Sequence, residues 1–537
     1  MMLEMGADNA VRFPDVGRDQ SIGDGAAAGT GRKSGKRPPT GSGQLARAVI
    51  ADALAEPAPA QAAADAQSAS PATPTSPGET GESRPAADGA LSGEARWRTA
   101  YPAAFRALLV AGLPDPQAAI DIAERGLDSL DARLGLDLEA AGRLPGGEPA
   151  AATTVVGPAR PARAVAVPYR GELLSGAALD RRLDDWLAAG SIEPSAAEAV
   201  RTVAAHPEWL DLSDLTFALI GAGAEMGPLA PLLSWGADVI AVDLPRPALW
   251  ARLHAAANAG AGRMHMITAD VTADPGVVGQ ALAQRDLRGR RMVLGNYVYA
   301  PGAAYVLATA AVDAVTAHVL SARDDVSLSW LGSPTEMYAV PAEVVLAARA
   351  ARRRLGPMRV AGPMLRPASR GRLAAPQYAG PDSAGDPSGS YGAGLGTGLG
   401  TAAGITDSLV LQQGPSYAFA KQIQRWRATA ARAAGVQVSF NVAPPSRTRS
   451  VVANRLLRAA YDGAGRFGVE VFQPVTSNAL MALLLVHDLR APREAEHPWQ
   501  HESAGAAHGG LWRIPYVPRS VLGFAVGIGA RSLVRGG

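Results

Sequence analysis

The chain has 537 residues, 47% of them hydrophobic, with 51 Lys plus Arg against 49 Asp plus Glu and a formal net charge of +2. That length fits several domains or one large α/β domain with appendages, and the balanced charge gives no general attraction to nucleic acid or to an anionic membrane. Cysteine is absent, which excludes disulfides, thiolate metal sites and a cysteine nucleophile. No run of 18 apolar residues occurs, and the acidic start Met1–Asn9 lacks the apolar core of a signal peptide, so a soluble, cytoplasmic protein is expected. Lysine stands only at 33, 36 and 421. Where arginine serves nearly everywhere, a lone lysine in the folded part marks a place that needs a compact ammonium of adjustable pKa.

Residues 1–95 are expected to be a disordered tail, because Gly, Pro, Ser and Ala dominate and Pro57–Pro85 offers almost no large apolar residue to bury. The basic cluster Arg32, Lys33, Lys36 and Arg37 reads as part of this solvated tail. Residues 96–210 are predicted to form a small helical region with a linker. Phe105, Leu108 and Leu109, then Ile120 and Ile122, recur at helical spacing from Trp97 to about Leu134. Within it, Gly126-Leu127-Asp128-Ser129-Leu130 reads as a helix end at Gly126 followed by a new Asp/Ser cap. Residues 143–168 read as a Pro/Gly/Ala linker. Helices over Leu179–Leu187 and from a Ser195 cap to Ala205 follow, the second stopped by Pro207.

Beyond 211 the pattern changes to short apolar runs separated by helices. Strands are expected at Leu215–Ile220, Val239–Val242, Met264–Thr268, Met292–Gly295, Val326–Leu331, Val436–Val442 and Val469–Phe472. Such runs argue for an α/β fold with a doubly wound parallel sheet, Rossmann-like, over 211–490. A Gly/Pro/Ser-rich stretch at 356–405 interrupts it as a mobile insertion, and 491–537 form a C-terminal extension.

The first strand runs into Gly221-Ala222-Gly223-Ala224-Glu225-Met226-Gly227-Pro228. A glycine-rich turn between strand and helix lets a diphosphate approach backbone N–H groups. The next strand ends at Asp243, where an acid accepts the adenosine ribose hydroxyls and favours NAD over NADP, while Arg246 nearby could hold a 2′-phosphate. The third strand ends in Ala269-Asp270, the fourth in Gly295-Asn296-Tyr297, and Tyr417-Ala418-Phe419-Ala420-Lys421 opens a later helix. After that helix and the strand Val436–Val442 comes Ala443-Pro444-Pro445-Ser446-Arg447-Thr448. With 11 tyrosines in 537 positions, a single lysine falls four after one by chance roughly 2% of the time.

This ordered set resembles the short-chain dehydrogenase/reductase superfamily over roughly 212–490. The resemblance implies a NAD- or NADP-dependent oxidoreductase, with NAD slightly favoured by Asp243, that passes hydride between the nicotinamide and a carbonyl or alcohol carbon. Gly221, Gly223, Gly227, Asp243, Asp270 and Asn296 would seat the dinucleotide, and Tyr417 would exchange the proton. Lys421 would bond the cofactor ribose and, from the same helix face, lower the phenol pKa. Ser333, after the fifth strand, would orient the substrate oxygen; Ser408, nearer Tyr417 in sequence, is the alternative. The implied partner is a small molecule, of apolar character judging from the C-terminal half, with a homo-oligomer implied by the resemblance and no nucleic acid or membrane.

Some features depart from the family. Glu225 stands where a glycine is usual, a carboxylate unfavourable beside a diphosphate, and the helix Ala303–Leu320 holds no Asn. They support an alternative, a non-catalytic Rossmann-like protein whose degenerate site serves binding or regulation. A methyltransferase shares the glycine turn but has no use for the Tyr/Lys pair. His497, His501 and His508 with Glu494, Glu496 and Glu502 match no metal spacing and read as a solvated loop. Trp235, Trp250 and Trp330 read as core. The apolar segment from Leu511 to Ala530 reads as cover for a pocket or a dimer interface.

Overall fold

The computed structural model describes residues 41–55, 94–135, 153–354, 369, 373–378 and 404–535. Helices α1 (Ser42–Leu54), α2 (Glu94–Gly112) and α3 (Pro116–Leu134) come first, then strand β1 (Thr154–Val156) and the short hairpin β2 (Val167–Tyr169) and β3 (Glu172–Leu174). Helices α4 (Gly176–Ala189) and α5 (Pro194–Ala205) lead into alternating strands and helices: β4 (Leu215–Ile220), α6 (Leu229–Ser234), β5 (Asp238–Asp243), α7 (Pro247–Ala259), β6 (Arg263–Thr268), α8 (Pro275–Ala283), β7 (Arg291–Asn296), α9 (Ala303–Ala322) and β8 (Val326–Gly332). Next stand β9 (Met337–Val340), α10 (Ala342–Arg354), β10 (Gly404–Asp407), α11 (Gly414–Ala433) and β11 (Val438–Val442). The chain closes with α12 (Arg449–Ala453), α13 (Arg455–Ala464), α14 (Pro474–Arg490), α15 (Pro498–Ser503) and α16 (Pro518–Arg535).

The α/β architecture is as expected. Its central sheet has seven strands in the order β1-β6-β5-β4-β7-β8-β11. Six of them are parallel, and taken in chain order they lie 3-2-1-4-5-6; only β1, on the β6 edge, runs antiparallel. Strand β4 is buried along its whole length, which explains a continuous apolar run where a half-exposed strand would alternate. Its side chains still divide by parity. Phe217 and Leu219 enter the core with Leu232, Leu253 and Leu483 of α6, α7 and α14. Ala218 and Ile220 enter the opposite core with Val278, Val315 and Ala428 of α8, α9 and α11. Trp235, Trp250 and Trp330 are buried core residues.

Six of the seven expected strands are present, and Val469–Phe472 is the exception. Its backbone bonds go elsewhere: the Glu470 N–H donates to Gly509 O and that of Phe472 to Pro445 O. The free edge of β11 is taken by the C-terminal segment, where the Ala507 N–H donates to Val442 O at 2.9 Å.

The N-terminal expectations need three corrections. Helix α1 lies inside the stretch expected to be disordered. It buries Leu45, Val49 and Ile50 in one core with Trp97, Phe105 and Leu127 of α2 and α3 and with Phe419 and Trp426 of α11. So α2 and α3 are a layer over α11 and share its core, and residues 1–40 and 56–93, with the basic cluster, lie outside the described residues. Secondly, α3 does not end at Gly126. A Cβ there would stand 2.8 Å from the Trp426 ring, so the glycine allows a close helix crossing, and the Ser129 hydroxyl donates to Asp52 at 2.6 Å and caps no helix. Thirdly, β1 falls within the expected linker because Thr154–Val156 add a strand to the sheet edge. Farther on, α5 starts at Pro194 with Glu193 as its cap residue, and the Ser195 hydroxyl accepts from the Gly505 N–H.

The expected insertion is bracketed by an antiparallel ladder, Met337–Val340 on Gly404–Asp407. That ladder returns the chain to the sheet; most of 356–405 lies outside the described residues. Among the described residues one helix, α9, is long and apolar enough to cross a membrane, and most of it is buried.

Candidate active site

Strand order places the reversal of the chain between β4 and β7, whose last residues Ile220 and Asn296 pair in register. Open parallel sheets bind ligands in the crevice beyond such a reversal. Gly221 adopts φ +80°, and a Cβ there would meet the Tyr297 carbonyl carbon and the Val298 nitrogen at 2.8 Å. Only glycine combines this conformation with this approach. The Asp243 carboxylate accepts the Gly223 N–H at 2.7 Å and the Leu244 N–H at 2.8 Å, so it shapes the glycine turn from the neighbouring strand. Gly227 closes the turn by donating to Ala224 O. Asp270 opens the segment after β6 by accepting the Thr272 N–H, and Asn296 Oδ1 accepts the Val298 N–H. Arg246 is exposed at the start of α7.

Glu225 does not stand as a bare charge. Its two oxygens accept the Arg449 backbone N–H at 2.7 Å and Nε at 2.6 Å, from the segment after β11. The expected conflict with a diphosphate is therefore relieved by a neighbouring guanidinium. Of the turn's N–H groups, those of residues 221–224 and of Gly227 already have acceptors. Those of Glu225 and Met226 have none among the described residues.

Ser333, Tyr417 and Lys421 converge although 84 positions separate the first two. The β9/β10 ladder performs that return. Lys421 Nζ donates to Leu331 O and to Gln424 Oε1, each at 2.9 Å, so two of its three hydrogens are used and one is left. Burial holds the Tyr417 phenol above its ordinary range, while the Lys421 charge and a hydrogen-bonding contribution from Ser333 pull the other way. This corrects the expectation of a lowered tyrosine: desolvation of the half-buried phenol outweighs the ammonium. Ser333 is buried, its hydroxyl shared with Thr335 Oγ1 at 2.8 Å. Ser408, the alternative, is instead bonded to Thr406 Oγ1 beside β10.

Several residues here carried no recognisable sequence signal. Helix α9 supplies Tyr305 in the absence of an Asn, and its ring centroid lies 5.6 Å from that of Tyr417 and 5.4 Å from that of Tyr299. Glu336, three residues after Ser333, is buried and accepts the Ser333 N–H at 3.3 Å and the Tyr338 hydroxyl at 3.2 Å. Burial pushes its carboxyl up to about 7, against the opposing charges of Arg425 and Lys421. An acid next to the strand-end serine was the one signal that could have pointed to it.

The C-terminal histidines are not in a solvated loop. His508 is fully buried, bonded to Glu193 at 2.7 Å and stacked on Trp512. His497 caps α15, and Glu502 pairs with Arg425 at 2.5 Å. Among the described residues no group of three or more His, Asp or Glu is placed to hold a metal. A cavity of about 1120 Å³ opens at the opposite, N-terminal end of the strands, lined by Asp128, Asp131, Arg291, Arg427 and Gln437, far in the fold from the strand ends that carry Gly221 and Ser333. Comparison with protein-family models and with curated proteins finds no match.

Proposed function

We propose that the protein is a NAD(P)-dependent oxidoreductase of Rossmann type that reduces a carbonyl compound. The observation that carries this reading is the convergence of Ser333, Tyr417 and Lys421 beside a sheet in the order 3-2-1-4-5-6, with Gly221, Asp243, Asp270 and Asn296 at the same strand ends. These residues fit a dinucleotide. The Gly221 turn approaches the β7 end too closely for any side chain, Glu225 is neutralised by Arg449, and Lys421 keeps one donor for a ribose hydroxyl. Asp243 favours NAD and the exposed Arg246 offers a route to NADP.

The nicotinamide, when bound, supplies the hydride. Ser333 orients the substrate oxygen and Tyr417 donates its phenolic proton to that oxygen as negative charge develops there. A phenol raised by burial suits the acid role in reduction better than the base role in oxidation. Lys421 stabilises the phenolate left behind. The run of rings from exposed Tyr299 through Tyr305 to Tyr417 supports an apolar substrate.

A second reading, a binding or regulatory protein with no turnover, draws on the internally bonded N–H groups of the glycine turn and on the absent Asn. Oxidation of NADH and NADPH in a panel of aliphatic and aromatic ketones separates the two. The enzyme reading requires turnover that Tyr417→Phe abolishes; cofactor binding without turnover of any ketone supports the second.

A further inference from the structure

Helix α11 carries three polar side chains along one face, Tyr417, Lys421 and Gln424, at i, i+4 and i+7. The reaction as described uses the first two and gives Gln424 no task. Gln424 is 2% exposed, and its Oε1 accepts Lys421 Nζ at 2.9 Å. The other acceptor of that ammonium is Leu331 O, near the end of β8, also at 2.9 Å. A lysine ends in three rotatable donors on a flexible stem, so one acceptor leaves the other hydrogens free to turn, whereas two acceptors from different elements fix the direction of the third. The far end of the amide is unsatisfied. Gln424 Nε2 is buried and has no acceptor among the described residues; the Tyr305 hydroxyl of α9 lies near the amide but outside bonding geometry with that nitrogen. The ammonium also decides which end of the amide faces it, because only the oxygen accepts. A buried donor without a partner costs free energy that an apolar side chain of the same length would avoid. Gln424 is therefore poorly suited to mere packing, and its bond to Lys421 is what sets it apart.

Resting on the oxidoreductase reading, we propose that Gln424 is a positioning residue for Lys421: together with Leu331 O it aims the ammonium, leaving the third hydrogen in one direction for the cofactor ribose. Both acceptors are uncharged, so they orient the ammonium without neutralising it, as a carboxylate in the same place would. Without Gln424, Lys421 keeps one fixed bond, to Leu331 O, and its other hydrogens turn about that axis. Capture of a ribose hydroxyl then has to remove a freedom that Gln424 removes before the cofactor arrives.

Lysine stands at only three positions, 33, 36 and 421, so ¹⁵N-lysine labelling of the full chain gives few ammonium signals, and Lys421→Arg identifies the one concerned. An ammonium anchored by two bonds exchanges its protons slowly with water, and a slow Lys421 signal is expected in the original chain. In Gln424→Met the exchange should quicken by about tenfold or more. Gln424→Glu, which keeps an acceptor oxygen at the same reach, should hold it slow. Thermal melts separate this role from packing, since Gln424→Met, relieved of the unpaired donor, should melt no earlier than the original chain. A missing slow signal in the original chain overturns the proposal without any variant; so does a folded Gln424→Met whose signal stays slow, or equal quickening in Gln424→Glu. Calorimetric titration with NADH and NADPH on the same preparations keeps the two claims apart. Gln424→Met should bind the cofactor about tenfold more weakly, and undiminished binding, above all with earlier melting, marks a packing residue and overturns the proposal. Quickened exchange in Gln424→Met, when the original chain binds neither cofactor, leaves the hold of Gln424 on Lys421 standing and removes the oxidoreductase reading beneath it.

Discussion

Arg425 offers a quantitative test of how the site is held. It is 8% exposed and donates through Nε and Nη2 to both oxygens of Glu502, at 2.8 and 2.5 Å, and through Nη1 to Met337 O at 2.9 Å. Its guanidinium also lies over the Tyr338 ring at 4.7 Å. Arg425→Met keeps much of the volume and removes the charge, leaving Glu502 and Glu336 buried together without their counter-ion. Breaking such a buried pair from one side costs about 3–5 kcal/mol. The penalty depends on pH in a definite sense. Glu336 is already raised to about 7, and loss of Arg425 raises it further, so the cost is full above neutrality and shrinks as pH falls and the carboxyl takes up a proton. Urea melts at pH 8 and pH 5 measure both parts. A variant within about 1 kcal/mol of the original at both values refutes the reasoning, because the carboxylates would then be reached by water. Arg425→Met/Glu502→Leu removes one stranded charge and should recover part of the loss at pH 8.

Other consequences follow from single contacts. Tyr417→Phe and Ser333→Ala should lower ketone reduction by roughly 10²–10⁴-fold in steady-state assays while NADH affinity is retained. Arg449→Ala uncovers Glu225 beside the glycine turn and should weaken NADH binding by roughly fivefold, whereas Glu225→Gln/Arg449→Ala should restore it; unchanged affinity in the single variant would disconnect that ion pair from the cofactor. Glu193 is depressed to about 2, burial opposing and the bonds from His508 and Arg513 prevailing. The stability it contributes is present above its ordinary 4.5 and is lost as pH falls toward 2, about 3 kcal/mol in all. Glu193→Gln should therefore be destabilised at pH 7 and approach the original chain near pH 2 in the same melts. Gly126→Val drives a side chain into the Trp426 ring and should cost roughly 1–3 kcal/mol in thermal unfolding.

The fold was legible wherever burial leaves a period or a continuous run. Leu215–Ile220 and its parallel neighbours are apolar because both faces are covered, and that survives in one sequence. Val469–Phe472 is also mostly apolar and β-branched or aromatic, but its hydrogen bonds go to Pro445 and Gly509, a tertiary choice that no local pattern encodes. Helix α1 was hidden for a similar reason, since Leu45, Val49 and Ile50 make a short stripe in a polar tail that is buried only because α2 and α3 receive it. Of the candidate site, the spacing of Tyr417 and Lys421 is a helix property and could be read directly. The partnership of Ser333 with Tyr417 depends on the β9/β10 ladder, and that of Glu225 with Arg449 spans 224 positions; neither leaves a local trace. Desolvation of the half-buried Tyr417, which reverses the expected direction of its shift, is likewise a property of the assembled helices.

The claim on which the account rests is that the crevice beyond β4 and β7 holds a nicotinamide dinucleotide and that Lys421 reaches its ribose. Calorimetric titration of the full chain with NADH and NADPH, repeated on Lys421→Met, addresses it most directly. Micromolar binding of at least one form, weakened by the substitution, is the predicted result. Binding of neither form, or binding indifferent to Lys421, would contradict it.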